Sequence, residues 1–246
     1  MAGRRAPADA PRRTVAAALF DWDGTLIDSR AALLTAWRES TSRVLGRSYP
    51  ATSAEEDLVF TRPGSQIWPQ LASAGDELDA LVARFQAAYE QSAAEVRAFP
   101  GVPKMLEGLR AGGVSIAIVT SKARRRFELD ALHAGVASLI DVSICAEDAE
   151  GAKPDPGPVL RALERLGAPG SFAIMIGDTP VDVAAGISAG TRTIGVAWGH
   201  AGEAELLAAG AEAVARDPGE LSALVLADGR QGSPAPSSRS ATGSVA

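Results

Sequence analysis

A chain of 246 residues, 46% hydrophobic and 22% charged, has the length and composition for one α/β domain or a core with a smaller insert. Its net charge of −6 is unevenly spread: residues 1–13 and 228–246 together carry +4, which leaves −10 for the body. An acidic body argues against nucleic acid or an anionic membrane as partner, since both need a basic face, but it leaves room for a small anion held by a few local donors.

Residues 1–13, "MAGRRAPADAPRR", have the charge of a signal peptide's start without its apolar middle, and read as a disordered tail. The core begins at residue 14 with "TVAAALFD", an apolar strand ending in two carboxylates, Asp21 and Asp23. Neighbouring carboxylates repel, and desolvation penalises their charged forms, so something should offset that cost. Residues 29–98 differ from the rest. "SRAALLTAWRESTSRVLG" has helical spacing, with Ala32, Leu33, Ala36, Trp37 and Val44 on one side. A second helix starts near Asp76, read as its cap, with Glu77 and Asp79 in the first turn. Strand signals are absent between the two helices. An insert here emerges at the carboxyl end of the first strand, where open α/β sheets bind ligands, so it is placed to act as a lid. The alternative is a decorative helical hairpin.

From Arg97 onward, short apolar runs alternate with helical patterns: "VSIAIVT", "SLIDVSIC", "SFAIMIGD" and "GTRTIGVAW". That alternation means βαβ units and a parallel sheet buried on both faces. The expected fold is therefore α/β, a Rossmann-like doubly wound parallel sheet with a small α-helical cap inserted after the first strand. Residues 14–28 and 99–227 form the core and 29–98 the cap. Residues 228–246 are Ser, Pro, Ala and Gly with little to bury, a second disordered tail. Cys145 is the lone cysteine, so no intramolecular disulfide forms, and a reducing cytoplasm fits. No stretch approaches the length of a transmembrane helix.

The carboxyl ends of parallel strands share one edge. There the sequence places Asp21 and Asp23, Thr120 and Ser121, Gly177 and Asp178, with Lys153 in "GAKPDP" and Asp182 four residues beyond Asp178. Pro180 suits the first turn of the helix that carries Asp182. Oxygen-rich, histidine-free clusters suit a hard cation such as Mg²⁺, whose charge answers the repulsion between the carboxylates. Lys153 and the hydroxyls are donors fit for phosphate oxygens. Metal, phosphate grip and an exposed carboxylate together suggest phosphoryl transfer. Each feature has a plainer reading alone: Asp178 and Asp182 as helix caps, Thr120 and Ser121 as a turn, Lys153 as solvated surface.

"DWDGT", "VTSK", "KPDP" and "GDTPVD" stand in the order and spacing of the four motifs of the haloacid dehalogenase-like phosphohydrolases, and the chain resembles that family over about residues 15–226. The resemblance implies Asp21 as the nucleophile, forming an aspartyl-phosphate. It implies Asp23 as general acid for the leaving oxygen and then base for the attacking water, with its backbone carbonyl on the metal. Thr120, with the Ser121 backbone, would hold the transferring phosphoryl group, and Lys153 would neutralise it and Asp21. Asp178 would complete the metal ligands Asp21 and Asp23, and Asp182 would hold Lys153 or a water on the metal. Gly24 would allow the turn after the strand, and Thr25 would help fix it.

Within the family, Asp23 speaks against dehalogenase chemistry, which has no leaving oxygen to protonate. The absence of lysine from residues 29–98 removes the Schiff-base phosphonate cleavers and weighs against a mutase. The small insert and "TIGVAWGHAG" look most like the phosphoglycolate phosphatase branch, which also holds pyrophosphatase-like and sugar-phosphate phosphatases. The expected partner is a small phosphorylated metabolite. A non-catalytic phosphate-binding relative would have lost Asp21, Asp23, Lys153 or Asp178. Arg62, in a lid turn, either meets a substrate carboxylate or is an exposed loop arginine. His200 reads as a packing or surface histidine ahead of a substrate contact, and Trp198 as packing over the sheet edge. Trp22 stands where the family commonly has leucine or phenylalanine, and should point away from the metal. Nothing in the sequence sets an oligomeric state.

Overall fold

The computed structural model describes residues 15–72 and 75–227. The two expected tails, 1–13 and 228–246, lie outside these residues. The first strand, β1 (Ala17–Phe20), is followed by the two-residue β2 (Ile27–Asp28) and by four helices: α1 (Arg30–Leu45), α2 (Ser53–Thr61), α3 (Gly64–Leu71) and α4 (Asp76–Ser92). Then come β3 (Arg97–Ala98), α5 (Val102–Ala111), β4 (Ser115–Val119), α6 (Arg124–His133), β5 (Val142–Ile144), α7 (Gly157–Leu166), β6 (Ala173–Gly177), α8 (Pro180–Ser188), β7 (Arg192–Val196), α9 (Glu203–Ala208), β8 (Ala213–Ala215) and α10 (Pro218–Ala227).

Six of these strands form one parallel sheet in the order β5-β4-β1-β6-β7-β8. The chain winds outward from β1 in both directions, so the expected doubly wound, Rossmann-like core with a helical cap after the first strand is the observed architecture. β8 was not foreseen: "AVA" is too short and too poor in β-branched residues to signal a strand.

Strand side chains alternate between the two faces. Ala18 and Phe20 of β1, with Ile116, Ile118, Ile174, Ile176 and Ile194, pack beneath α5, α6 and α10 through Leu106, Leu109, Phe127, Leu221 and Val225. Ala17 and Leu19, with Ala117, Val119 and Met175, meet Val159, Ala162 and Leu163 of α7 and Ala185 of α8 on the other face. Both faces are thereby dry, which fixes the register and brings the carboxyl ends of β1, β4 and β6 level at one edge.

In the cap, α1 packs on α4 around an aromatic cluster. Trp37 and Trp68 stack with centroids 3.6 Å apart, and Phe85 lies 5.2 Å from Trp37 and 5.1 Å from Trp68. Asp76 is the first helical residue of α4 rather than its cap; Gly75 holds the cap position, so the acids of the first turn face the helix dipole instead. The chain enters and leaves the cap through β2 and β3, which pair antiparallel with Ile27 opposite Ala98 and Asp28 opposite Arg97.

Candidate active site

β1 delivers Asp21 at its carboxyl end, and α7 is preceded by a loop that sends Lys153 beneath it. Lys153 Nζ donates to Asp21 Oδ1 at 2.5 Å, to Asp182 Oδ1 at 2.6 Å and to the Val119 carbonyl at 2.9 Å. Burial alone would lower the Lys153 pKa, but Asp182 and Asp21 outweigh it and hold the ammonium above the usual lysine value. Asp182 sits in the first turn of α8, whose N-cap is Thr179 and first residue Pro180. Its other oxygen accepts from the Thr179 backbone N–H at 3.1 Å and hydroxyl at 2.6 Å. It therefore caps its helix and orients the lysine at once.

Asp178 follows β6. Thr25 Oγ1 donates to its Oδ1 at 3.0 Å, and the His200 backbone N–H donates to its Oδ2 at 2.8 Å. Gly24, at φ 81°, makes the turn after β1, and a Cβ there would collide with the Asp178 carboxylate. Gly199 approaches Asp178 just as closely, and lies against the Gly24 carbonyl as well. Asp21, Asp178 and Asp182 each offer an oxygen within 4.8 Å of the others, all buried. Burial, then Asp182 and Asp178, raises the Asp21 pKa well above the carboxylate range despite Lys153, and burial with Asp182 pushes Asp178 up to about 7. Buried carboxylates held this close are the donor set for a hard cation, so the residues present fit Mg²⁺.

Asp23 points elsewhere. Its Oδ1 accepts from Lys122 Nζ at 2.6 Å and from the Ser29 hydroxyl at the cap entrance. Lys122 also donates to Asp130 of α6 and, at 2.8 Å, to the Tyr89 hydroxyl of α4. Tyr89 donates to Asp130 in turn, 2.9 Å to Oδ2, and Trp22 Nε1 lies 3.4 Å from the same oxygen. Trp22 is fully buried, edge-on to Phe127 at 4.9 Å, so the unusual residue between the acids props this network from the core side. Burial raises the Asp130 pKa; Lys122 opposes that and Asp23 adds to it.

A cavity of about 310 Å³ joins core and cap. It is lined by Asp21, Asp23, Thr120, Ser121, Lys153, Asp178 and Asp182 from the core edge, and by Trp37, Phe60, Trp68 and Phe85 from the cap. Asp21, Asp23, Thr120, Ser121, Lys153, Asp178, Asp182 and Arg62 thus border one space, while Thr25 and Gly177 stand behind it. Thr120 is buried, and its Oγ1 accepts from the Lys122 backbone N–H at 3.1 Å. Arg62 is exposed at the turn between α2 and α3, on the cavity's rim. His200 borders the cavity too, with Nε2 3.4 Å from Asp57 Oδ1 and its ring 5.3 Å from Phe60, so the loop after β7 meets cap helix α2. Trp198 Nε1 donates to the Thr25 carbonyl at 3.0 Å, bracing the turn after β1.

Sequence reasoning missed Lys122, Tyr89, Asp130 and Arg126. Lys122 lies within the quoted "VTSK" but received no role. Asp130 left a readable trace, since it occupies the apolar face of α6 beside Phe127 and Ala131, where a carboxylate demands a partner.

A doubly wound core that gathers these carboxylates and a lysine at its switch point, beneath a helical cap, defines a capped, Rossmann-like α/β protein with an acidic candidate active site. Comparison with known proteins makes the class specific. A family model for haloacid dehalogenase-like hydrolases matches residues 18–196. The chain belongs to that family. It is 34% identical over 188 residues to a pyrophosphatase PpaX of Bacillus velezensis, covering 76% of this chain and 85% of that protein. A second PpaX, from Bacillus pumilus, is 31% identical over 221 residues, covering 87% of this chain and 98% of the relative. Among solved structures, a protein from Lactobacillus plantarum provisionally named phosphoglycolate phosphatase superposes with a TM-score of 0.73 at 26% identity, covering 85% of this chain and 98% of its own. No helix among the described residues is long and apolar enough to cross a membrane.

Proposed function

We propose that this hydrolase is a Mg²⁺-dependent phosphatase that acts on a small phosphomonoester, phosphoglycolate-like in size, through an aspartyl-phosphate on Asp21. The observation that carries the reading is the placement of Asp21: its Oδ1 is held by Lys153 at 2.5 Å while the residue borders the cavity. A carboxylate fixed in this way can attack phosphorus without reorienting.

In the first step an Asp21 oxygen forms a bond to phosphorus as the ester P–O bond breaks. Asp23 gives its proton to the departing oxygen, in an orientation set by Lys122 and Ser29. In the second, Asp23 takes a proton from water, which attacks phosphorus and releases Asp21 and inorganic phosphate. Lys153 and the Thr120 hydroxyl face the charge that builds on the phosphoryl oxygens. Mg²⁺, held by the Asp21 and Asp178 carboxylates and the Asp23 carbonyl, would supply neutralising charge. Asp182 keeps Lys153 aimed at Asp21. The lone, buried Cys145 supports a reducing, cytoplasmic setting.

A second reading, pyrophosphate hydrolysis by the same residues, is supported by the names of the PpaX relatives. Phosphate release from phosphoglycolate, pyrophosphate and sugar phosphates, ranked by kcat/KM with and without Mg²⁺, separates the two. Activity that survives chelation would sink both.

A further inference from the structure

The first turn of α6 carries three consecutive arginines, Arg124, Arg125 and Arg126. A helix N-terminus bears partial positive charge, so cations are disfavoured there. Two of the three are neutralised. Arg124 pairs with Asp148 and lies 3.7 Å from Glu128, and Arg125 Nε lies 2.7 Å from Glu90. Arg126 has no carboxylate within salt-bridge distance among the described residues, and its buried Nε makes no hydrogen bond. Its guanidinium sits over Phe85 at 4.9 Å and Tyr89 at 5.8 Å from the ring centres. Those contacts recover part of the desolvation cost but leave the donors unused.

Arg126 borders the same cavity as Asp21 and Asp23, and the cap rings of Trp37, Trp68 and Phe85 border it as well. Asp23, Asp130 and Glu147 favour the Arg126 charge from beyond salt-bridge distance, but none accepts a hydrogen bond from it, so this partly buried guanidinium on an aromatic-walled space keeps donors free for an anion. Pyrophosphate has no carbon surface to cover these rings, and a wholly polar ligand pressed on them would lose water without recompense.

We propose that Arg126 binds a second oxyanion on the substrate, so that the phosphatase proposed above takes a phosphomonoester whose apolar skeleton lies on the cap rings and ends in a carboxylate or phosphate. This rests on the phosphatase reading for its reaction but not for its binding. Arg126 belongs to the core helix α6, whereas the exposed Arg62 stands at the rim.

The test uses phosphonates, which bind without turning over. Benzylphosphonate and its para-carboxylate and para-phosphonate derivatives are titrated with Mg²⁺ into the full chain, following the intrinsic tryptophan fluorescence, to which Trp37, Trp68 and Trp198 on the cavity wall contribute. At least one doubly anionic probe should bind the native protein about tenfold or more tightly than benzylphosphonate. R126M should erase that preference, and R126K, which keeps the charge but loses the fork, should retain part of it. R126M should melt no lower than the native chain, which shows that it folds. No preference in the native protein, or an equal preference in R126M, overturns the proposal. Hydrolysis of p-nitrophenyl phosphate is measured in parallel. If it fails while the preference holds, the phosphatase reading falls and the oxyanion subsite stands.

Discussion

Lys122 Nζ lies 2.6 Å from Asp23 Oδ1 and, on its other side, holds Asp130 and the Tyr89 hydroxyl. One buried lysine thus ties the acid after β1 to core helix α6 and cap helix α4. Removing Lys122 leaves the buried Asp130 without a cation, at a cost on the order of 3–5 kcal/mol, whereas removing Asp130 leaves Lys122 still paired with Asp23 and costs less. K122M should destabilise strongly in urea, D130L less, and the double variant less than K122M alone. Additive losses would show that the pair does not act as one unit. D130N should lower kcat more than it raises KM, because it loosens Asp23 rather than the phosphate grip.

Asp21 and Asp23 should fail in different ways. D21N should lose on the order of 10⁴-fold or more in turnover, because the nucleophile is gone. D23N still has its nucleophile, and an activated ester needs no proton on its leaving oxygen. Mixed with p-nitrophenyl phosphate, D23N should accumulate a covalent phosphoryl adduct, visible in the intact mass, while steady turnover falls on the order of 10²–10⁴-fold. Equal, mild losses would contradict the division of roles.

Protons and Mg²⁺ should compete for Asp178, whose pKa burial pushes up from 3.8 to about 7. An acid with a raised native pKa keeps a proton that the unfolded chain has already lost. Without metal, its contribution therefore makes stability fall as pH climbs from 3.8 to about 7. Mg²⁺ binds the ionised form, so the rise in melting temperature it produces should be larger at about pH 8 than at about pH 6. A larger rise at the lower pH would place the cation elsewhere.

Gly199 and Gly202 make a matched pair. A Cβ on Gly199 would press on Asp178 and the Gly24 carbonyl, whereas one on Gly202 meets nothing within 4 Å. G199A should therefore weaken Mg²⁺ binding and cut activity at least about tenfold, as expected when a ligand is displaced, while G202A leaves both close to native. Similar behaviour of the two would mean that the close approach at Gly199 does not matter for the site.

Cys145 should be inert in the native state. Burial raises its thiol pKa from 9.0 to about 12, so the reactive thiolate is scarce at mild alkaline pH. Alkylation should be slow until denaturant is added. Because the unfolded thiol ionises first, this group's contribution to stability falls as pH rises from 9.0 to about 12.

The sheet and its acidic edge were legible because their signals are local. Apolar runs mark the strands, and each ends in the residues it presents, such as Asp21 after "AALF" or Asp178 after "AIMIG". What escaped depends on partners distant in sequence. Spacing shows that Asp130 shares a face with Phe127, but not that Tyr89, 41 residues away, and Trp22, 108 away, converge on it. Arg126 is one of three identical letters, and only the fold shows which of them lacks a carboxylate. β8 and the β2–β3 ribbon were missed because two or three residues cannot express a period.

The ribbon between β2 and β3 brings the cap's two ends side by side, with Ile27 opposite Ala98. A segment whose ends meet in one place is a cassette: it can be lengthened, shortened or exchanged for another without re-threading the sheet. Selection could thus rewrite what this molecule recognises while leaving untouched the edge that does the cutting.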